Sequence, residues 1–313
     1  MKQEEPTSTA HEQARRQEPP LGELPIADHL LMVNDLGRGE KYGEAMLAKI
    51  RPGDVVLEVG TGAGLLSCMA ARLGAKHVYT VEQSPVMHEV AKKVFAANGL
   101  SDKITLLHAG SEELVALGAI REPVDVFVTE TIGAFGLDEG ILPIFEHVKP
   151  LLSPNAKVIP ERVKFKHCLV NMSGIRERIE ILEPIFGFDF SALNAERKSN
   201  LSFGYIPIDP WREVSTIAET RTYDVTNFAA DDSDQEMMVV KSNVCDGMLV
   251  WTEFQLSEDV VLDTRCRDLR DSWANVIYMM KRTPVEYGQR CTSQFRVCDD
   301  RVSWVLNWNI APK

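Results

Sequence analysis

The chain has 313 residues, 44% of them hydrophobic and 26% charged, with a formal net charge of −12. That length admits one large or two ordinary domains, and the composition allows a proper core. The charge argues against a general nucleic-acid binder, whose phosphate contacts need a basic face, and suits either a protein kept soluble by its charge or one that tolerates or attracts cationic substrates.

Residues 1–26 are rich in Glu, Gln, Pro, Ser and Thr and lack apolar periodicity, so they read as a disordered tail. Ala27 to Ile50 then takes rough helical spacing, and Gly37 and Gly39 predict two short helices with a bend at LGRGEKY. From Val55 to Pro160 strand and helix alternate. Strands are expected at Val55–Val59, His77–Val81, Ile104–Leu107, Val124–Thr129 and Lys157–Ile159. Helices are expected at Leu65–Leu73, Pro85–Asn98, Ser111–Ile120 and Ile141–Leu152, with Ser84-Pro85 as a start signal and Gly74 and Gly99 as stops. After Pro160 short strand-like runs recur, from Val163–Val170 to Val302–Asn309, with partial apolar–polar alternation that predicts an antiparallel sandwich or barrel. Ile175 to about Ser199 interrupts them with a more helical, apolar-rich texture. Six cysteines occur without a CxxC pair, so no metal site is expected. No secretory core or long apolar span is present, which predicts a cytoplasmic protein with reduced thiols and no membrane partner.

Chemistry concentrates at the predicted strand ends. VVLEVGTGAGLLS is an apolar run, a glycine turn at Gly60, Gly62 and Gly64, and a helix start. A nicotinamide fingerprint would carry its third glycine at position 65, where Leu65 stands, so a pyrophosphate at this helix start is disfavoured. On the loop alone, a structural turn in some other α/β domain stays open. Glu82 ends the next strand, 18 residues after Gly64, where an acid can accept both hydroxyl protons of a ribose. Ser111 and Glu112 follow the strand after that, at the place of an adenine edge. Each acid could be a solvated loop charge, but together they fit an adenosine without phosphates and point to S-adenosylmethionine. Glu130 and Glu139 flank a glycine-containing loop after the fourth strand. Two carboxylates facing one pocket are costly unless a cation lies between them, and a guanidinium is the natural one. Two unrelated exposed acids are the alternative.

These segments resemble the protein arginine methyltransferase family. VLEVGTGAGLLS resembles its first motif, VYTVEQSP its ribose-binding strand end, and Thr129 to Gly140 its double-glutamate loop, spacing included. IPERVKF resembles the junction into the family's β-barrel and EPIFGFDFSALN its dimerisation arm. The match runs from about Leu30 to the C-terminus with the motifs in order, and several segments are similar to the monomethylating (type III) branch. The resemblance implies a Rossmann-like doubly wound α/β domain over 27–160 and an antiparallel β-barrel over 161–313. It also implies a helical dimerisation arm at about 175–212, S-adenosylmethionine as cofactor and a homodimer. By position, Arg38 would hold the cofactor carboxylate, Gly60, Gly62 and Gly64 its shelf, Glu82 the ribose, and Ser111 and Glu112 the adenine. Glu130 and Glu139 would grip the guanidinium. One departure stands out: the family's Thr-His-Trp loop reads Asp271-Ser272-Trp273 here, and no histidine follows His167. Trp273 would keep a packing role, with Ser272 beside it at the substrate. The acceptor is then arginine in a protein or free L-arginine; the altered loop and the short chain without accessory modules lean slightly to the small molecule, while the resemblance to the family leans to protein. Methyl transfer to another small cation and a catalytically inactive scaffold of the same fold are the other readings, and Leu65 disfavours a dehydrogenase.

Overall fold

Two helices precede the first sheet. The computed structural model describes residues 12–15, 24–133, 136–196, 200–202, 212–229, 234–266, 270–299, 301 and 304–312. Within the segment expected to be disordered, β1 (Glu12–Arg15) runs antiparallel to the last strand of the chain, Glu12 opposite Trp308, and Ile26 already opens a helix. Helix α1 (Ile26–Asn34) buries none of its residues, whereas α2 (Leu36–Lys49) buries Tyr42, Ala45 and Met46. The break between them falls at Asp35, not at the glycines, and α2 runs through both Gly37 and Gly39. Asp35 is its N-cap: the carboxylate accepts the Arg38 amide at 3.0 Å and satisfies an otherwise orphaned donor. That cap and the buried face of α2 outweigh glycines that each cost roughly 1 kcal/mol in a helix interior.

Five strands form a wholly parallel sheet: β2 (Val55–Val59), β3 (His77–Glu82), β4 (Ile104–His108), β5 (Val124–Thr129) and β6 (Leu152–Ile159), the last starting before its expected Lys157 with a polar, half-exposed stretch. Every residue of β2 is buried, as expected of a strand covered on both faces. Connections run through α3 (Leu65–Arg72), α4 (Pro85–Ala97), α5 (Leu114–Leu117) and α6 (Ile141–Val148). The expected helix over 111–120 is shorter than its spacing suggests: a 3-10 turn over Ser111–Glu113 leads into α5, which Gly118 ends at φ +57°. Strand order is β4-β3-β2-β5-β6. The chain builds outward from β2 on one side, then returns to build outward from β5 on the other. The reversal between β2 and β5 opens a crevice at their carboxyl ends, the usual ligand site of such sheets.

From Arg162 onward the strands are antiparallel. β7 (Arg162–Val170), β8 (Asn200–Ser202), β9 (Ala218–Glu219), β10 (Tyr223–Asp224), β12 (Asn243–Ser257), β13 (Val260–Asp263) and β14 (Val276–Val285) form one sheet. β11 (Asp234–Met238), β15 (Arg290–Val297) and β16 (Trp304–Ile310) join β1 in another. The two close on each other as a barrel-like unit: Phe165 of β7 stacks on Phe295 of β15 at 4.2 Å, and His167 Nε2 meets Ser293 Oγ at 2.6 Å. Between β7 and β8 the arm is less helical than its texture predicted. Its described residues hold only two four-residue helices, α7 (Arg176–Ile179) and α8 (Ala192–Ala195); residues 197–199 and 203–211 of the expected arm lie outside the described residues. No helix among the described residues is long and apolar enough to cross a membrane. Cys168, Cys245 and Cys291 are buried in the barrel, which raises all three thiols, Cys245 and Cys291 to about 12.

Candidate active site

Strand register sets the site. Val59 pairs with Val81 on one side and Thr129 on the other, and Glu82 pairs with His108. The glycine loop after β2, Glu82 at the end of β3 and Glu130 after β5 therefore stand level along one sheet edge, around the crevice. A cavity of about 660 Å³ lies there, lined by Gly60 to Ala63, Glu82, Arg38, Glu130 and Glu139 among others.

The loop is shaped for close approach. Gly60, Gly62 and Gly64 have φ of +82°, +51° and +87°. A Cβ at Gly64 would stand 2.5 Å from the Phe95 ring, and one at Gly60 2.9 Å from Thr131 Cγ2. Most of the loop amides already have partners: Gly60 and Thr61 donate to the Val81 carbonyl, Gly62 to Glu82, and Gly64 to the Thr61 carbonyl. The loop thus offers no nest of free N–H groups for a pyrophosphate, in keeping with Leu65 where a dinucleotide fingerprint has glycine. Glu82 is fixed by both oxygens, one accepting the Gly62 amide and the other the Ser84 amide, each at 2.8 Å. A carboxylate has about four lone-pair sites, so two remain on a group that lines the cavity. That suits a ribose diol, and with the loop amides already partnered the residues present fit a ribose-bearing ligand without phosphates. Ser111 and Glu112 do not join this lining. Ser111 Oγ is 2.9 Å from His147 Nδ1, and the exposed Glu112 folds its carboxylate against Gly110.

Glu130 and Glu139 line a second cavity as well, of about 230 Å³, with Gly133, Ser272, Trp273 and Ala274. The two acids stand where the space over the glycine loop meets the space under the barrel. The loop that carries Glu139 packs closely against the barrel: Gly136 has φ +85°, and a Cβ there would lie 2.3 Å from Thr252 Oγ1 of β12.

Arg38 joins Glu130 to the barrel loop. Its Nη2 pairs with Glu130, its Nη1 donates to Ser272 Oγ at 3.1 Å, and its guanidinium lies 4.9 Å from the Trp273 ring centroid. Burial pushes the Glu130 carboxyl up to about 7, against the opposing pull of Arg38. Behind it the Tyr42 hydroxyl donates to the Thr129 carbonyl at 3.0 Å; burial holds that phenol well above its usual range. Under the glycine loop, Glu58 is 1% exposed and accepts from Ser67 and from Thr80 Oγ1. Burial raises it to about 7 too.

Sequence reasoning missed several lining residues. His29 of α1 stands 3.5 Å from the place of a Gly62 Cβ, and burial lowers its imidazole. Met32, Thr131 and Asp138 also line the larger cavity, and Asp35 reaches Ser272. Asp35 carried a signal: an acid three residues before Arg38, at the head of a helical pattern, is an N-cap signature. His29 and Met32 carried none, because α1 has no residue in the core and its orientation is not readable from periodicity.

Comparison with known proteins gives three kinds of match. The family model for ribosomal protein L11 methyltransferase (PrmA) matches residues 44–160, the part that holds the parallel sheet. An arginine N(omega)-methyltransferase from Streptomyces achromogenes subsp. streptozoticus is 29% identical over 271 residues, 83% of this chain and 73% of that protein. Human protein arginine N-methyltransferase 9 is 27% identical over 288 residues, 80% of this chain but only 34% of that protein, so this chain spans about a third of its length. Among solved structures, the Trypanosoma brucei PRMT1 enzyme-prozyme heterotetrameric complex with AdoHcy superposes with a TM-score of 0.79 at 22% identity. It covers 92% of this chain and 94% of that one.

Proposed function

We propose that this chain is an arginine methyltransferase, like the relatives it matches, and that it transfers one methyl group from S-adenosylmethionine to a guanidino nitrogen of free L-arginine. What carries the proposal is that Glu130 and Glu139 line both cavities, between the glycine loop and the barrel. When bound, S-adenosylmethionine supplies a methyl group on a sulfonium, with a neutral thioether as leaving group. Glu82 would accept the ribose hydroxyls, Gly60 to Gly64 would leave room for the ligand, and Arg38 would face its carboxylate. Glu130 and Glu139 would each take hydrogen bonds from the planar guanidinium. Their charge draws the positive charge toward the nitrogens they bind and leaves the remaining nitrogen more nucleophilic. Because the proton can leave late, no strong base is required, which accommodates the missing histidine of the barrel loop. The protein's contribution is then orientation and exclusion of water.

Free arginine is favoured over a protein acceptor by two observations. The Streptomyces relative, named for arginine and not for protein arginine, matches most of both chains. The loop expected to face the acceptor carries Ser272 in place of histidine. Mass spectrometry on a reaction offering free arginine together with an Arg-Gly-rich peptide tests this. Monomethylarginine should appear while the peptide stays unmodified; methyl on the peptide alone would transfer the assignment to a protein substrate. Independently, Glu139→Gln should lower turnover on the order of 10²-fold or more, as loss of a charge-stabilising group does. Binding of S-adenosylhomocysteine should persist in that variant, because Glu139 is assigned to the acceptor. Near-wild-type turnover would refute its role.

We also infer a homodimer through the arm at 175–212. Phe186 is 96% exposed and Phe188 68%, far beyond what an isolated surface needs, and both are close to the exposed Leu193 in sequence.

A further inference from the structure

We propose that Ser272 is a positioning residue for Arg38: the barrel loop holds the cation that the acceptor must displace from Glu130. This rests on the acceptor reading above.

Ser272 is 234 residues from Arg38 and 237 from Asp35 in sequence, yet it joins both. Its backbone N–H and its hydroxyl each donate to Asp35 Oδ2 at 2.9 Å. With the hydroxyl proton committed there, the Oγ lone pairs are left to accept from Arg38 Nη1 at 3.1 Å. Asp35 Oδ1 in turn accepts the Arg38 amide at 3.0 Å. Arg38 is therefore held at its backbone by Asp35, at one guanidinium nitrogen by Ser272 and on its face by Trp273. The other terminal nitrogen is left for Glu130. Asp35 and Ser272 are 6% and 9% exposed, so bulk water does not substitute easily for these contacts.

The consequence is a competition. An acceptor guanidinium entering between Glu130 and Glu139 seeks the carboxylate that Arg38 already holds. Ser272 gives Arg38 a neutral partner on which to remain while Glu130 changes hands. It also keeps the guanidinium facing the larger cavity, where a cofactor carboxylate would lie. Ser272 and Trp273 line the smaller cavity themselves, so the acceptor arrives against the loop that performs this task. Without the hydroxyl, Glu130 becomes the main polar partner of Arg38. The acceptor must then remove that cation outright.

The test compares Ser272→Ala with wild type in steady-state transfer to arginine, and in binding of S-adenosylhomocysteine by calorimetry without acceptor. Loss of a buried hydrogen bond to a charged group should raise the acceptor KM and weaken S-adenosylhomocysteine by roughly tenfold each, with kcat within about a factor of two. Ser272→Thr, which keeps the hydroxyl, should restore both. Ser272→Cys, close in size but a weak hydrogen-bonding group, should behave like alanine and serves if the alanine variant does not fold. A merely structural role would lower kcat through the active fraction and leave KM unchanged; that outcome, or no change in either constant, overturns the proposal. If the wild type methylates no guanidine, the acceptor reading fails instead, and the calorimetry still decides whether Ser272 governs Arg38.

Discussion

Glu58 is an acid inside an all-buried strand, held by two hydroxyls instead of a cation. Burial is the larger influence, and it raises the carboxyl from about 4.5 to about 7. Between those values the folded state binds the proton more tightly than the unfolded chain, so Glu58 favours folding fully below about pH 4.5 and loses that contribution as pH rises through 7. The difference amounts to roughly 3 kcal/mol. Glu58→Gln keeps the size and an acceptor for Ser67 and Thr80 without the titration. Thermal melts at pH 5 should therefore show wild type and variant close together, and at pH 8.5 the variant should melt higher. Parallel melting curves across that range would mean that Glu58 does not titrate there. Glu130 is raised for the same reason, but Arg38 stands against it. Acceptor kcat/KM should accordingly fall on the acid side of about pH 7 as the Glu130 carboxylate is protonated. A rate profile flat from pH 6 to 8 would remove Glu130 from the acceptor's binding. Little of this was legible in the sequence. An acid within VVLEV is visible, but Ser67 lies a helix turn beyond the loop and Thr80 lies on the neighbouring strand. Only the fold brings them to the same oxygen.

The elements that bear the site were more legible than its side-chain contacts. Continuous Val/Leu/Ile runs separated by glycine stops marked the parallel strands, because a strand covered on both faces admits little else. Their level carboxyl ends then follow from pairing, and so does the alignment of Gly60, Glu82 and Glu130. The barrel was harder. β12 runs for 15 residues through a bulge between Cys245 and Gly247, and β13 was not foreseen, because half-buried strands mix polar and apolar residues without a clear boundary. The arm read as helical from its apolar spacing, but its described helices are one turn each. The glycines of the loop over 131–140 do not reveal in the sequence that Gly136, at a positive φ, packs closely against Thr252 of β12. Gly136→Ala therefore meets both backbone strain and a hydroxyl at 2.3 Å. The loop must shift to relieve it, and Glu139 shifts with it. Displacements near 1 Å can cost on the order of 10²-fold in rate, so acceptor kcat/KM should fall steeply while S-adenosylhomocysteine binding changes little. Equal losses in both would show that the loop also shapes the cofactor side.

At the scale of the whole molecule, the distribution of exposed apolar side chains is uneven. Phe186, Phe188, Phe190 and Leu193 crowd the arm, and Leu30, Leu31 and Leu36 stand exposed on the two N-terminal helices. Phe186 also holds φ +51°, a conformation that bulky side chains avoid. A strained aromatic inside the turn closed by the Ile185 and Phe188 backbones, 96% exposed, is costly in an isolated chain and is accounted for if a second copy covers it. The N-terminal helices offer an exposed apolar counter-surface: α1 buries none of its residues, yet it lines the larger cavity through His29, Met32 and Val33. Covering α1 from outside would order that wall. A self-complementary pairing of arm and helix repeats twice about a two-fold axis and closes, as symmetric dimers do. Light scattering should then give twice the chain mass, and Phe186→Asp with Phe188→Asp should halve it. Neither phenylalanine lines either cavity, so a loss of S-adenosylhomocysteine affinity in the monomer would point to transmission through α1. An unaltered affinity in a clean monomer would leave the dimer intact as an assembly but disconnect it from the site. A wild-type chain of single mass across the working concentration range would dismiss the dimer altogether, and the arm would then need another occupant.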